Sequence, residues 1–402
     1  MRLATRILLT YLTLTLLFTA ALAAVFCIPR STIEQGVRHS VQQVADDGLM
    51  FTARVGEIEP FKVGTFSDCL ILGIAYCADT SHPLTSAMTD KFMMLGESPV
   101  KGAQLMLSNP DDPSLRTVIY CRYWHGNQVV VRPLLCVTTV HGIRVINIVL
   151  LTLLWLTLLA VMWRRIDHIS TLIVMIPLGA VMIPTVPFCL NYVPTFYIAM
   201  TAALLILLWQ RATERWHDTV VLMFIIGALT AFFDLLTTPL LTLAVPVTVY
   251  ILYKQPRRTA RTLILLALAW LAGYASLWAT KWLLAALITG QDAFQDAMGA
   301  ITQRTVGHGD QELAYTRWCF RATLASLAIV AGVTALVTLL MRKSWQAVRQ
   351  HSWALLLALM VYLWVFVLME HTWHHLHFTW RTFVILAIGI GLFLRHTIKT
   401  KN

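Results

Sequence analysis

The chain has 402 residues, of which 58% are apolar and only 13% charged, and its mean hydropathy is +0.69. Soluble domains carry about 25% charged residues, so a soluble globular fold is excluded and an all-α polytopic membrane protein is expected. The net charge of +11 would suggest a nucleic-acid partner in a soluble chain. In a membrane protein it asks instead which side carries the excess.

In chain order, the first apolar run covers residues 7–28 behind Arg2 and Arg6 and reads as a retained signal anchor, so that 1–28 forms the first transmembrane helix. Residues 29–144 follow, with charges, prolines and four of the seven cysteines but no long apolar stretch. They are expected to be a large extracytoplasmic loop built from amphipathic helices on the membrane face. Residues 145–402 then read as a bundle of about nine further spans, near 145–163, 169–186, 190–209, 218–234, 239–253, 262–284, 319–341, 352–369 and 378–395, with an outer loop at 285–318. The run 219–253 is too long for one crossing at 1.5 Å per residue. Asp234 and Pro239 mark its turn.

About ten spans with a cytoplasmic N-terminus put sixteen Lys and Arg against three acids inside, and fifteen against seventeen outside, which accounts for the whole net charge. No nucleic-acid partner is needed. Both termini are then cytoplasmic, at the plasma membrane.

The polar constellations fall on the expected outer face. Asp46 and Asp47 follow the first span and are candidate catalytic carboxylates, one of them a general base. Arg122, Tyr123 and His125, with Arg132 further on, could hold an anionic headgroup: guanidinium forks suit phosphate, and an imidazole shuttles protons. Asp234 sits between Phe232-Phe233 and Leu235-Leu236, where an acid must find a partner or water. Residues 370–377 hold four histidines. On a helix His371, His374 and His375 would share a face, with Arg381 close by as a further phosphate-binding candidate. A divalent metal, if one is used, would be held by Asp47, Glu370 or His374; no other cofactor is expected. Lys281 is expected to snorkel to the outer interface, and the amphipathic stretch 291–304 to lie there as a lid or connection. Cys69 with Cys77, or Cys121 with Cys136, could form disulfides if that face is oxidising. No phosphate-cradling glycine loop or serine elbow is present, which disfavours an ATP-driven machine.

This plan resembles the GT-C superfamily of membrane glycosyltransferases: an N-in first span, a long outer loop with an acidic pair (Asp46, Asp47), and a bundle with short cytoplasmic turns. The resemblance implies a sugar moved from a polyprenyl-phosphate donor to an extracytoplasmic acceptor, a cell-envelope glycan or protein, with membrane lipid as the medium. It also implies an aspartate of the first outer loop as base. Many members have more spans and a soluble C-terminal domain. The Arg-Tyr-Trp-His-Gly run, the Thr-Thr-Pro turn and the histidine cluster are also similar to those of uncharacterised multi-span proteins of Gram-positive bacteria. The alternative from another class is a transporter or flippase for a lipid-linked or anionic substrate.

Overall fold

The computed structural model describes residues 2–48, 50–52, 62–305 and 345–397. The apolar run 319–341 with Cys319, and residues 306–318 of the expected loop 285–318, lie outside the described residues.

The chain is helical. In order come α1 (Leu3–Phe26), α2 (Arg30–Asp47), α3 (Phe66–Cys77), α4 (Pro83–Thr89), α5 (Pro99–Ser108), α6 (Gln128–Leu134), α7 (Val140–Arg165), α8 (His168–Thr185), α9 (Val193–Leu208), α10 (Trp216–Phe233), α11 (Leu240–Lys254), α12 (Thr259–Thr289), α13 (Ala293–Thr305), α14 (Trp345–Val367), α15 (Met369–His374), α16 (Leu376–Thr379) and α17 (Val384–Thr397). Two short antiparallel pairs interrupt them, β1 (Met50–Thr52) with β2 (Lys62–Gly64) and β3 (Phe92–Met94) with β4 (Arg116–Val118). Among the described residues, seven helices are long and apolar enough to cross a membrane: Leu3–Phe26, Val140–Arg165, His168–Phe188, Trp216–Phe233, Thr259–Thr289, Ala347–Val367 and Leu376–Thr397. Val193–Leu208 and Leu240–Lys254 are shorter apolar helices. Leu8, Leu12, Leu16 and Leu17 on α1, and Val145, Val149 and Leu153 on α7, face outward. Bare aliphatic faces of this extent suit lipid rather than water.

Helix boundaries follow local chemistry. Asp167 caps α8 by accepting from Ser170 N at 2.9 Å, and Ser98 caps α5, with Pro99 as its first residue. The run 219–253 breaks where Asp234 and Pro239 stand, into α10 and α11.

Contacts sort the helix ends into two sets. At one end Arg6 pairs with Asp218 at 2.6 Å, Arg165 donates to Tyr253 Oη at 3.3 Å, Thr259 Oγ1 donates to the Gln350 carbonyl, and His351 stacks on His396. The opposite end carries α2 to α6, the 234–239 turn, α13 and α15. Helices α2, α3 and α5 pack on one another around Ile33, Val37, Val41, Ile71, Leu72 and Met106, instead of lying separately on a surface. Helix α3 is buried over almost its whole length.

The tightest pair of long helices is α10 with α12. A Cβ at Gly227 would stand 2.0 Å from the Trp270 carbonyl oxygen, and one at Gly273 2.0 Å from that of Phe224. Small residues at such crossings let backbones approach, the usual basis of packing in a membrane. Gly227→Ala is therefore expected to cost about 1–3 kcal/mol, read as a lowered unfolding temperature in detergent. Gly299→Ala, where a Cβ meets nothing within 4 Å, should leave that temperature unchanged or slightly raised.

Candidate functional site

The segment 120–128 is tied down on several sides. Tyr120 N donates to the Thr89 carbonyl at 2.9 Å, Trp124 Nε1 to the Leu277 carbonyl at 2.7 Å, Gly126 N to the Phe232 carbonyl at 2.9 Å and Gln128 Nε2 to the Ile71 carbonyl at 2.8 Å. Gly126 is obligatory in this seam, because a Cβ would fall 2.5 Å from the Phe232 ring. The segment is thereby pinned to α3, α10 and α12.

The 234–239 turn, α12, α13 and α15 meet beside it. The 234–239 turn is closed by the Asp234 carboxylate, which accepts from Thr237 N at 3.0 Å and from Thr237 Oγ1 at 2.5 Å. Burial pushes the Asp234 acid up to about 6, against the lowering effect of those bonds from Thr237. Helix α13 brings Asp296 to Arg122 at 2.5 Å and lays the Arg304 guanidinium 5.5 Å from the centre of the Tyr123 ring. Burial works against the charge on Arg304, but the hydroxyls of Tyr123 and Tyr120, which accept its hydrogen bonds, more than offset this. Arg304 has no carboxylate partner among the described residues. Helix α15 packs against α13 and supplies Glu370, paired with His374 at 2.9 Å, and the buried His371. His371 Nε2 donates to the Leu236 carbonyl at 2.8 Å, which leaves Nδ1 as a buried acceptor with no partner. Burial and then the nearby Arg304 charge lower His371 to about 4, and burial lowers His375 to about 3, so both rings are neutral near pH 7. Tyr274 Oη, Trp278 Nε1 and both ring nitrogens of His125 are also buried without partners among the described residues.

Of the residues expected from sequence, Arg122, Tyr123, His125, Asp234, His371, His374 and His375 thus gather on this cluster. Others go elsewhere. Asp46 is exposed and accepts from Gln42 at 2.7 Å. Asp47 binds Arg144 at 2.6 Å, and Arg144 also reaches Asp68 at 3.4 Å, so the acid forms part of a second network under α2. Asp68 accepts from Leu190 N and Cys189, and burial pushes it up to about 6 despite Arg144. Arg132 is buried and donates to the carbonyls of Ala75 and Ile28, tying α1 to α3 through α6. Arg381 donates to Thr185 Oγ1 and the His377 carbonyl, 4.0 Å above the Tyr192 ring. Two donors of each guanidinium are thereby committed within the fold.

Lys281 does not snorkel. It is fully buried, 2.8 Å from Asp90 and 2.7 Å from the Ala87 carbonyl, where the C-terminus of α4 gathers negative ends of peptide dipoles that suit a cation better than the interface would. No three metal-ligating side chains converge among the described residues, and Asp47 sits apart from Glu370 and His374. The six described cysteines are free thiols. Arg304, Tyr120 and Tyr274 escape a sequence reading. The one signal was the amphipathic stretch 291–304, whose last residue enters the cluster.

Compared with protein families, characterised proteins and solved structures, the chain gives no match. Function must therefore be reasoned from the side chains.

The Asp234 acid offers a pH test. A carboxyl near 6 in the fold and about 3.9 in the unfolded chain is protonated more readily when folded, so its contribution to stability is fully present below pH 4. It is lost as pH rises through 6, by about 3 kcal/mol. Asp234→Asn retains an acceptor for Thr237 N, and its unfolding temperature should fall less than that of the wild type between pH 4.5 and 6.5, measured in detergent.

Proposed function

We propose that the protein is a membrane-embedded transferase of GT-C type that takes a sugar from a polyprenyl-phosphate donor at the face carrying this cluster and passes it to a cell-envelope acceptor. One observation carries the reading: Arg304 is a largely buried cation whose neighbours among the described residues are phenols and neutral imidazoles rather than a carboxylate. Buried charge normally requires an opposite charge, and a phosphate monoester or diester supplies one, with Tyr120, Tyr123 and Tyr274 as hydroxyl partners. A long apolar tail is supported by the groove of about 560 Å³ between α11, α12 and α14, walled by Leu240, Trp270, Met360 and Trp364. Trp364 also packs against the cluster beside Tyr123 and Leu236, so tail and head sites are continuous.

In this reading Arg304 stabilises the charge that develops on the departing phosphate, and His371 Nδ1 accepts the proton of the acceptor hydroxyl. His371 takes the role expected of Asp46 or Asp47, because Asp47 is engaged by Arg144. The full layout belongs to the same proposal. The seven long helices, the two shorter ones and the apolar run 319–341 would make ten crossings. The basic end, with Arg6, Arg164, Arg165 and Lys254, would face the cytoplasm of a plasma-membrane protein.

The test is purified protein in lipid nanodiscs incubated with radiolabelled polyprenyl-phosphate sugars and envelope acceptors. Sugar transfer is expected, with Arg304→Ala lowering kcat on the order of 10²-fold, the usual cost of one charge-stabilising donor, while Arg304→Lys recovers part of it. Absence of transfer across a broad donor panel overturns the enzyme. Leaflet exchange of the intact donor in liposomes would instead establish the flippase.

A further inference from the structure

A second cleft, of about 280 Å³, opens on the other side of the 120–128 segment. Its walls are Val130 and Val131 of α6, Ile143 of α7, Val193, Pro194 and Ile198 of α9, and Phe233 at the end of α10. Three polar side chains interrupt this apolar lining: Asn127, Asn147 and Tyr197. Tyr197 Oη donates to Asn147 Oδ1 at 3.3 Å, which fixes one edge. Asn127 is 4% exposed, and neither its Oδ1 nor its Nδ2 has a hydrogen-bond partner among the described residues.

A buried primary amide with both ends unpaired costs about 1–3 kcal/mol for each group left unsatisfied, and Asn127 lines the cleft through which a partner could approach it. What would satisfy it is defined by its two atoms. Nδ2 needs an acceptor and Oδ1 needs a donor, and both must come from one small region of a molecule whose remainder is apolar. No charged side chain lines the cleft, so a phosphate or carboxylate would be desolvated without compensation. The depth agrees. Ile143 and Asn147 lie in the first two turns of α7, and Val193 to Ile198 in the first two turns of α9. Both helices begin at the end that carries the cluster, so the amide stands where hydrocarbon gives way to the interfacial layer.

We propose that this cleft binds a neutral glycerolipid with a free hydroxyl, of the diacylglycerol class: its ester carbonyl accepts from Asn127 Nδ2, its hydroxyl donates to Asn127 Oδ1, and one acyl chain runs between α7 and α9. The site stands on its own observations and does not depend on what the Arg304 cluster does. It shares a wall with that cluster, because Gly126 and Phe232 are bonded to each other and their neighbours Asn127 and Phe233 face the cleft.

The experiment uses the full chain in nanodiscs with a diacylglycerol carrying a photoreactive group in one acyl chain. Labelling of peptides from α7 and α9 is expected, displaced by unlabelled diacylglycerol and not by a fatty-acid methyl ester, which lacks the hydroxyl. Asn127→Leu, close in size, should reduce labelling about tenfold, the equivalent of one good hydrogen bond. Val130→Trp leaves the amide intact and, because Val130 is an exposed mouth residue, blocks entry without disturbing the fold; it should reduce labelling at least as much. Labelling unchanged in both variants, or displaced equally well by the methyl ester or by phosphatidic acid, overturns the proposal.

Discussion

A single backbone hydrogen bond, from Gly126 N to the Phe232 carbonyl, joins the polar segment of the large loop to the end of α10. The bond can form at 2.9 Å because Gly126 has no side chain where the Phe232 ring lies. Everything that gives the polar end its chemistry is placed relative to this seam. On one side of it Tyr123 and Asp234 meet α13 and α15; on the other, Asn127 and Phe233 line the lateral cleft. Trp124, bonded to Leu277, holds the same segment to α12, the helix that packs against α10 through Gly227 and Gly273. The seam is therefore bonded to both helices of the closest crossing in the bundle.

The fold solves the problem of buried charge in several ways. Lys281 takes one carboxylate and the carbonyls at the end of α4, and Arg144 shares two carboxylates. Arg122 has Asp296, while Arg132 and Arg381 use carbonyl and hydroxyl oxygens. Removing a carboxylate from such a pair leaves an uncompensated ion and costs several kcal/mol. These cations are explained by the structure they stabilise. Arg304 is set among phenol hydroxyls and uncharged imidazoles, with no carboxylate partner among the described residues, and the hydroxyls of Tyr123 and Tyr120 offset its desolvation.

Sequence patterning made the helical membrane class legible because lipid imposes an apolar composition that no soluble fold shares. The 234–239 turn was equally legible, since the apolar run 219–253 is too long for one crossing and Asp234 with Pro239 stands at its middle. The gathering of Arg122, Tyr123, His125, Asp234 and His371 followed from their lying on one face once the topology was oriented. Roles were harder to read. Lys281 has the spacing of a snorkelling residue, and only the fold of 83–90 beneath it reveals Asp90 and the carbonyls that hold it. Asp47 reads as a free acid, yet its partner Arg144 stands 97 residues away, where it resembles the start of a span. Arg304 carries no local signal because its meaning comes from what does not surround it.

The neutral state of His371 bears directly on the transferase reading. A base near 4 removes a proton poorly at pH 7, since proton transfer is most effective when donor and acceptor are matched to the working pH. Burial holds it there first and the positive charge of Arg304 second, with smaller effects from His374 and His377. A phosphate bound at Arg304 cancels the second and adds an anion of its own beside the ring, which favours the imidazolium. Substrate binding would thus raise the basicity of Nδ1 when an acceptor hydroxyl has to be deprotonated, while the bond from Nε2 to Leu236 fixes the tautomer that presents it. Without such an anion the ring stays a weak base, so on the transferase reading proton abstraction would be coupled to the presence of the donor through electrostatics.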